Sequence, residues 1–391
     1  MHQMSLHMIY EIKGTRCDPA EAGSQRQLES AYRASIRPAC LCCSAKPPMY
    51  VARHGGQFIV KRMPGTGALH APHCPAYAPP VELSGRGRAA AAIKVVSTDL
   101  VIRLAVPLTA NTSQDRSNDV PPTNKATAGD AVIGNPATPS RLSLLGLLHL
   151  LWDEASLNVW SPGMTGKRRW SVVRHRLMEA AQDVRVGRRR LRDHLFVPPQ
   201  WREHSPQEAC ESLRQRFLAQ DMNTGQMSQQ IIIGEMKTCT ATSQGGCIVI
   251  KHLPGLHLQL SRQAYLIFIG GMADAMALHQ AGNPDKGTRL VVICLTTWQD
   301  GALRMVQGAG MTTTDSWLPS ASLPAYQLLR ALQPSRRMVV PLSYGLEPEQ
   351  LPYAILTDTD PTTLCLGRPA DAMDGYRVWL WEPSFQVPLP A

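Results

Sequence analysis

A chain of 391 residues with a 44% hydrophobic fraction can bury one or two cores and is too apolar to be disordered throughout. Lys and Arg number 40 against 30 Asp and Glu, and the resulting +10 points to an anionic partner, nucleic acid before a membrane surface. No run of 18 apolar residues exists, and ten cysteines are too few for a disulfide-stapled secreted domain.

The opening MHQMSLHMIYEIKG lacks the basic, apolar and small-residue regions of a signal peptide, so a cytoplasmic protein without membrane insertion is expected. The next zone, 30–80, reads as a zinc-ribbon-like module. It carries CLCC at Cys40 to Cys43 and HAPHC at His70 to Cys74. Between them, MYVARHG and QFIVKRM predict a β-hairpin turning at His54-Gly55-Gly56. Alternate residues of an extended chain point the same way, so Cys40 and Cys42 can share a side. His70 and Cys74, four apart, share a face if helical. Three thiolates and an imidazole suit tetrahedral zinc, and a site with four protein ligands leaves no open position for water. Cys40, Cys42, His70 and Cys74 are therefore the expected ligands of a structural Zn(2+). Cys43 and His73 are close substitutes, and small buried free cysteines are the alternative.

Residues 81–108 form a β-rich extension containing IKVVSTDLVIRLAVPL. The polar stretch 109–140, rich in Thr, Asn, Asp, Pro and Gly, reads as a linker or exposed insert. The zone 141–220 predicts helices. RLSLLGLLHLLWDEA is apolar on nearly all sides, WSVVRHRLMEAAQDV has an approximately helical period, and PQEACESLRQRFLAQ opens at Ser205-Pro206.

The charge is focused in this zone. Lys167 to Arg192 holds ten Lys or Arg against two acids, Glu179 and Asp183. A helix over 170–182, a turn near Gly187 and a helix over 188–195 outline a helix-turn-helix. Lys167, Arg168, Arg169, Arg174, Arg188, Arg189, Arg190 and Arg192 are the candidate nucleic-acid contacts, with a solvated helix face as the competing reading.

The last zone, 228–391, predicts an α/β domain around five or six strands: IIIGEM, CIVIKHL, LVVICLTTW, MVVPLSY, YAILTDT and YRVWLWE. GMADAMALHQ and LPAYQLLRALQ are the helices between them. Glu235-Met236-Lys237 at a strand end is the one weak catalytic candidate, a Glu-x-Lys nuclease pair that needs a second acid such as Asp221. Asp358 and Asp360 in TDTDP read as turn residues before they read as cation ligands. The expected class is α+β or α/β multidomain, with a zinc-stabilised β-rich N-terminal module, a basic helical segment and a mixed C-terminal domain.

Several phrases together resemble a known family. CLC, RMPGTGALHAPHC, LLGLLHLLWDEASLNVW with KRRW, IIIGEMK, SWLPSAS, RRMVVPLSY, AILTDTDP and GYRVWLW are similar to DUF1173, an uncharacterised bacterial family. The resemblance covers most of 38–385. It implies association with plasmids and integrated conjugative elements, and it implies no activity. On it, Cys40, Cys42, His70 and Cys74 match the family's Cys/His pattern. The functional expectation is DNA binding in the context of a mobile element. The alternatives are a metal-dependent nuclease at Glu235 and Lys237, and a non-enzymatic interaction subunit.

Overall fold

A computed structural model describes residues 8–54, 56–108, 141–200, 206–224, 229–282, 287–345, 351–370 and 373–381. The stretch expected to be a linker or insert, 109–140, lies outside them. The architecture is mixed α+β, with small N-terminal sheets, central helices and two larger C-terminal sheets.

At the N-terminus, Tyr10–Ile12 pairs antiparallel with Thr15–Cys17 on one side and Ala39–Cys40 on the other. The hairpin expected between the Cys/His clusters forms from Met49–His54 and Gln57–Arg62. Helix Ser24–Arg33 packs on it and buries Leu28 and Ala31. The resulting core is small: Tyr10, Leu28, Met49, Val51, Tyr77 and the cysteines Cys40 and Cys74, closed by Val339 from far down the chain.

The apolar run near 144 becomes helix Leu144–Glu154, which is buried on nearly all sides. The Oγ of Ser143 caps it by accepting from the Gly146 N–H at 3.0 Å. Strand Gln229–Thr242 shares the core of this helix. Its Ile231 and Ile233 join the helix-side core, while Ile232 and Met236 join a second core on the other face. Burial on both faces explains the unbroken apolar run where a half-exposed strand would alternate.

That strand begins a barrel. Its first half pairs antiparallel with Thr288–Gln299 and its second half with Gly245–Ile250. Gly245–Ile250 pairs with His257–Ser261, which runs parallel to Ala302–Thr314 at Gln259 and Arg304. Ala302–Thr314 pairs back on Thr288–Gln299 and closes a five-stranded ring. Two features let one strand serve both halves. A β-bulge falls between Met236 and Thr238, and a Cβ on Gly234 would come within 2.4 Å of Ile250 Cγ2. Helix Arg262–Ala281 connects the third and fourth strands of the ring. This order, one-two-three-five-four with a helix after the third strand, is the connectivity of an OB-type Greek-key barrel.

The last sheet runs in the order Arg377–Leu380, Thr363–Leu366, Ala354–Leu356, Met338–Val339, Val159–Trp160, with helix Leu323–Leu332 on its core. Its edge strand Val159–Trp160 comes from the zone expected to be helical, so the sheets cut across the sequence zones. The expected helix-turn-helix is also corrected. Helix Trp170–Ala180 forms, but Val184–Val186 and Arg189–Arg190 are short strands paired antiparallel around Gly187, whose φ is +60. Val184–Val186 continues the sheet by pairing parallel with Asp99–Ile102. Only a single turn, Leu191–His194, is helical after it.

His149 sits inside the first core, and its Nδ1 accepts the Tyr344 N–H at 3.0 Å. Burial lowers its pKa from 6.5 to about 4. A folded pKa below the unfolded one contributes stability in full above about pH 6.5, and that contribution is lost as pH falls toward 4. The loss is on the order of 3 kcal/mol at most. Urea unfolding at pH 7 and pH 4.5 should therefore show a His149-dependent drop. His149→Asn, which keeps an acceptor for Tyr344 but has no proton to gain, should flatten that drop.

Candidate metal centre

Cys40 ends a strand held by Tyr10–Ile12, and Cys42 follows in the turn. His70 closes a short 3-10 turn, Gly67–Leu69, and Cys74 lies in the next turn, where its N–H donates to Ala71 O. The hairpin Met49–Arg62 returns the chain between them. Cys40, Cys42, His70 and Cys74 thereby converge, their ligand atoms all within 4.8 Å of one another. Among the described residues no other group of three or more His, Cys, Asp or Glu side chains gathers this way.

The spacings fit one ion. Cys40 Sγ and Cys74 Sγ are 3.8 Å apart, while His70 Nδ1 lies 3.5 Å from Cys42 Sγ and 3.6 Å from Cys74 Sγ. A tetrahedral zinc with ordinary bond lengths requires edges of about 3.8 Å between sulfurs and about 3.5 Å between sulfur and nitrogen. Cys40, His70 and Cys74 are buried and Cys42 is partly so. The hydrogen bond with Cys74 pulls the Cys40 thiol down, and the same contact pushes Cys74 up. A thiol donating to Cys40 favours the thiolate there, the form a metal needs.

The two substitutes lie outside the converging group, although Cys43 Sγ is 3.9 Å from Cys42 Sγ. Cys43 Sγ contacts Leu69 O at 3.4 Å, and His73 is exposed, with its carbonyl accepting from Arg337 Nη2 at 2.8 Å. That last contact, with Val339 in the same core, fastens the module to the C-terminal sheet. The apolar run marked Val339 as strand, but its contact with the module, like that of Arg337, links residues more than 260 positions apart and leaves no local signal.

The basic stretch divides. Arg168 is internal: it donates to Leu157 O and Val159 O and lies 5.4 Å over the Trp160 ring. Burial lowers its pKa to about 10. Arg174 donates to Val197 O at 3.0 Å, and Arg185 pairs with Asp99. Arg168 is thus corrected from a nucleic-acid contact to a support of the fold. Lys167, Arg169, Arg188, Arg189, Arg190 and Arg192 are exposed. Arg169 and Arg174 also line an open groove of about 690 Å³ with Ser171, Phe196 and Gln200.

Glu235 is buried, and its Oε1 accepts from both Lys251 and Arg289 at 3.0 Å. Among the described residues it belongs to no group of three or more potential metal ligands, and Lys237 is exposed at the bulge. The side chain of Asp221 lies outside the described residues. Arg289 continues into a stack, 4.7 Å over Trp317, which lies 5.2 Å from Trp170, itself 5.3 Å from His252. The arrangement is a charge-and-ring brace joining the barrel to helix Trp170–Ala180. Asp358 binds Arg336 and accepts the Arg337 N–H at 2.9 Å, which is the turn-holding role.

The model of a family described as protein of unknown function (DUF1173) matches residues 10–381. The chain belongs to the DUF1173 family. No curated protein and no solved structure matches this DUF1173 chain. Among the described residues no helix is long and apolar enough to cross a membrane.

Metal analysis of the purified DUF1173 protein should give one zinc per chain. Cys40→Ser and His70→Ala should lose it, with a stability loss of several kcal/mol, roughly the scale of structural zinc. Cys43→Ser and His73→Ala should keep it. Metal retained by His70→Ala but lost by His73→Ala would refute this ligand set.

Proposed function

We propose that this DUF1173 protein is a zinc-stabilised, non-enzymatic nucleic-acid-binding protein, with DNA as its ligand and a mobile element as its setting. The zinc is structural, because four protein ligands leave it no open position. The observation that carries the binding role is the arginine hairpin. Arg188, Arg189, Arg190 and Arg192 are all exposed around one tight turn, and none is ion-paired with a described acid.

Arg189 and Arg190 lie on the edge strand of a four-stranded sheet, with Arg188 in the turn before it, and exposed cations at such an edge can reach phosphates. The hairpin is also anchored. Its first strand follows Asp183, which receives Tyr50 Oη at 3.0 Å and pairs with Lys61, both from the hairpin between the metal ligands. The metal module thus supports the base from which the arginines project. The barrel adds a second argument by analogy, since OB-type barrels commonly bind oligonucleotides across their strands. The mobile-element setting rests on the family resemblance alone. A nuclease reading at Glu235 and Lys237 has less support, because Glu235 is occupied by two cations and belongs to no described group of three or more potential metal ligands.

Binding of duplex and single-stranded oligonucleotides should be measured by fluorescence anisotropy over a salt series. Affinity should fall steeply with salt, and Arg188→Gln/Arg189→Gln/Arg190→Gln should reduce the log–log slope by about 2 to 3. Absence of binding at low salt, or a variant with unchanged affinity and slope, would refute the proposal. Binding of acidic proteins with no binding of DNA would replace it with an interaction role.

A further inference from the structure

A small cavity of about 60 Å³ lies where four stretches far apart in the sequence meet. Its walls come from 62–68, 78–86, 153–158 and 341–344. The second of these is pressed onto the last. Gly85 N donates to Leu342 O at 2.9 Å, and a Cβ on Gly85 would fall 1.7 Å from Ser343 O. The lining includes no member of the Cys/His cluster and no residue of the arginine hairpin.

Two buried polar groups of this lining have no partner. Asn158 is 3% exposed, and its Nδ2 donates to Asp153 Oδ1 at 3.3 Å and to Val340 O at 3.2 Å. Those two bonds fix the amide and leave Oδ1 as a bare acceptor. Tyr344 is 7% exposed, and its Oη is also without a partner. Burial and the nearby carboxylates of Asp153 and Glu154 push its pKa up, so the hydroxyl keeps a proton to donate. The backbone of Tyr344 is strained as well, with φ at +51, and its N–H is held by His149 Nδ1. Strain of this kind concentrates at ligand sites. Buried polar groups are normally hydrogen-bonded, so two orphans on one cavity call for a ligand with the complementary groups.

The charges limit what that ligand is. Arg86 Nη1 pairs with Asp153 Oδ2 and its Nη2 with Glu154 Oε1, each at 2.7 Å. Arg62, the other cation of the lining, gives Nη1 to Ala76 O at 3.2 Å. A bare anion would meet the Asn158 oxygen and Asp153, and a bare cation would meet Arg62. A neutral group that both donates and accepts suits the two orphans. At roughly 15 Å³ for each water-sized group, the cavity has room for about four non-hydrogen atoms. Pro79, Pro80 and Pro341 give it flat walls, which fit a planar group. A Cβ on Gly67 would come within 3.1 Å of Arg62 Nη1, so glycine leaves that guanidinium its place. The rim at Val81, 47% exposed, is apolar and suits an aliphatic stem.

We infer that this cavity binds a primary carboxamide of the asparagine or glutamine type, its NH₂ donating to Asn158 Oδ1 and its carbonyl accepting from Tyr344 Oη. Free glutamine and a glutamine side chain in a polypeptide carry the same group.

Isothermal titration calorimetry of the full chain with acetamide, L-glutamine and an acetyl-Gly-Gln-Gly N-methylamide peptide tests this. Glutamine or the peptide should bind about tenfold or more tightly than its glutamate counterpart. Binding of the peptide assigns the source to a polypeptide, and binding of L-glutamine alone assigns it to the free amino acid; either supports the carboxamide site. Tyr344→Phe removes only the unpartnered hydroxyl. It should leave the urea midpoint unchanged or raised and weaken carboxamide binding about tenfold or more. Val81→Trp, at the exposed rim, should weaken binding with the circular dichroism spectrum unchanged. The carboxamide site is overturned by failure of every carboxamide to bind, which leaves the cavity to solvent. It is overturned equally by glutamate or glycerol binding as tightly as glutamine, or by a Tyr344→Phe protein that binds undiminished. None of these outcomes depends on nucleic-acid binding.

Discussion

Convergence of four side chains on one point is the constraint that the N-terminal third depends on. The core around Cys40 and Cys74 has few large residues, and those two members also belong to the Cys/His cluster. A region this small gains little from burial alone, and an ion held by the gathered Cys and His side chains would supply what the core lacks. The consequence reaches further than the module. Arg337 and Val339 attach it to the C-terminal sheet, and Tyr50 and Lys61 carry its hairpin to Asp183 at the root of the arginine hairpin.

The rest of the molecule is organised by one strand. Gln229–Thr242 separates two cores, pairs with a different neighbour along each half, and bends at Gly234 and the following bulge. Glu235 sits at that bend. One buried oxygen receiving both Lys251 and Arg289 draws the ends of two neighbouring strands to the same point. Charge that resembles a catalytic pair in the sequence is used here to brace a barrel.

How much of this was legible in the sequence follows from the range of the interactions. The Cys/His cluster was readable because coordination demands a few residue types at short spacing, and CxC with HxxxC supplies them. The buried helix at Leu144 and the apolar strands were readable from composition. The arginine hairpin was not. Strands of two and three residues leave too short a period to detect, and Val184–Val186 is fixed by Asp99–Ile102, about 80 residues earlier. Strand Ala302–Thr314 was missed because Gly308 and Gly310 stand where large residues would mark it, and those glycines are needed for the close approach of helix Arg262–Ala281. Arg168 looked like one more surface cation. Only the carbonyls of Leu157 and Val159 reveal that it is internal.

The central claim is that the Cys/His centre holds the N-terminal module and, through it, the base of the arginine hairpin. Hydrogen exchange followed by mass spectrometry, with metal bound and after chelation, tests it most directly. The account predicts that chelation removes protection at 39–62 and loosens 184–190, while the barrel strands over 229–250 and 288–314 stay protected. Unchanged protection at 39–62, or equal loss across the barrel, would contradict it.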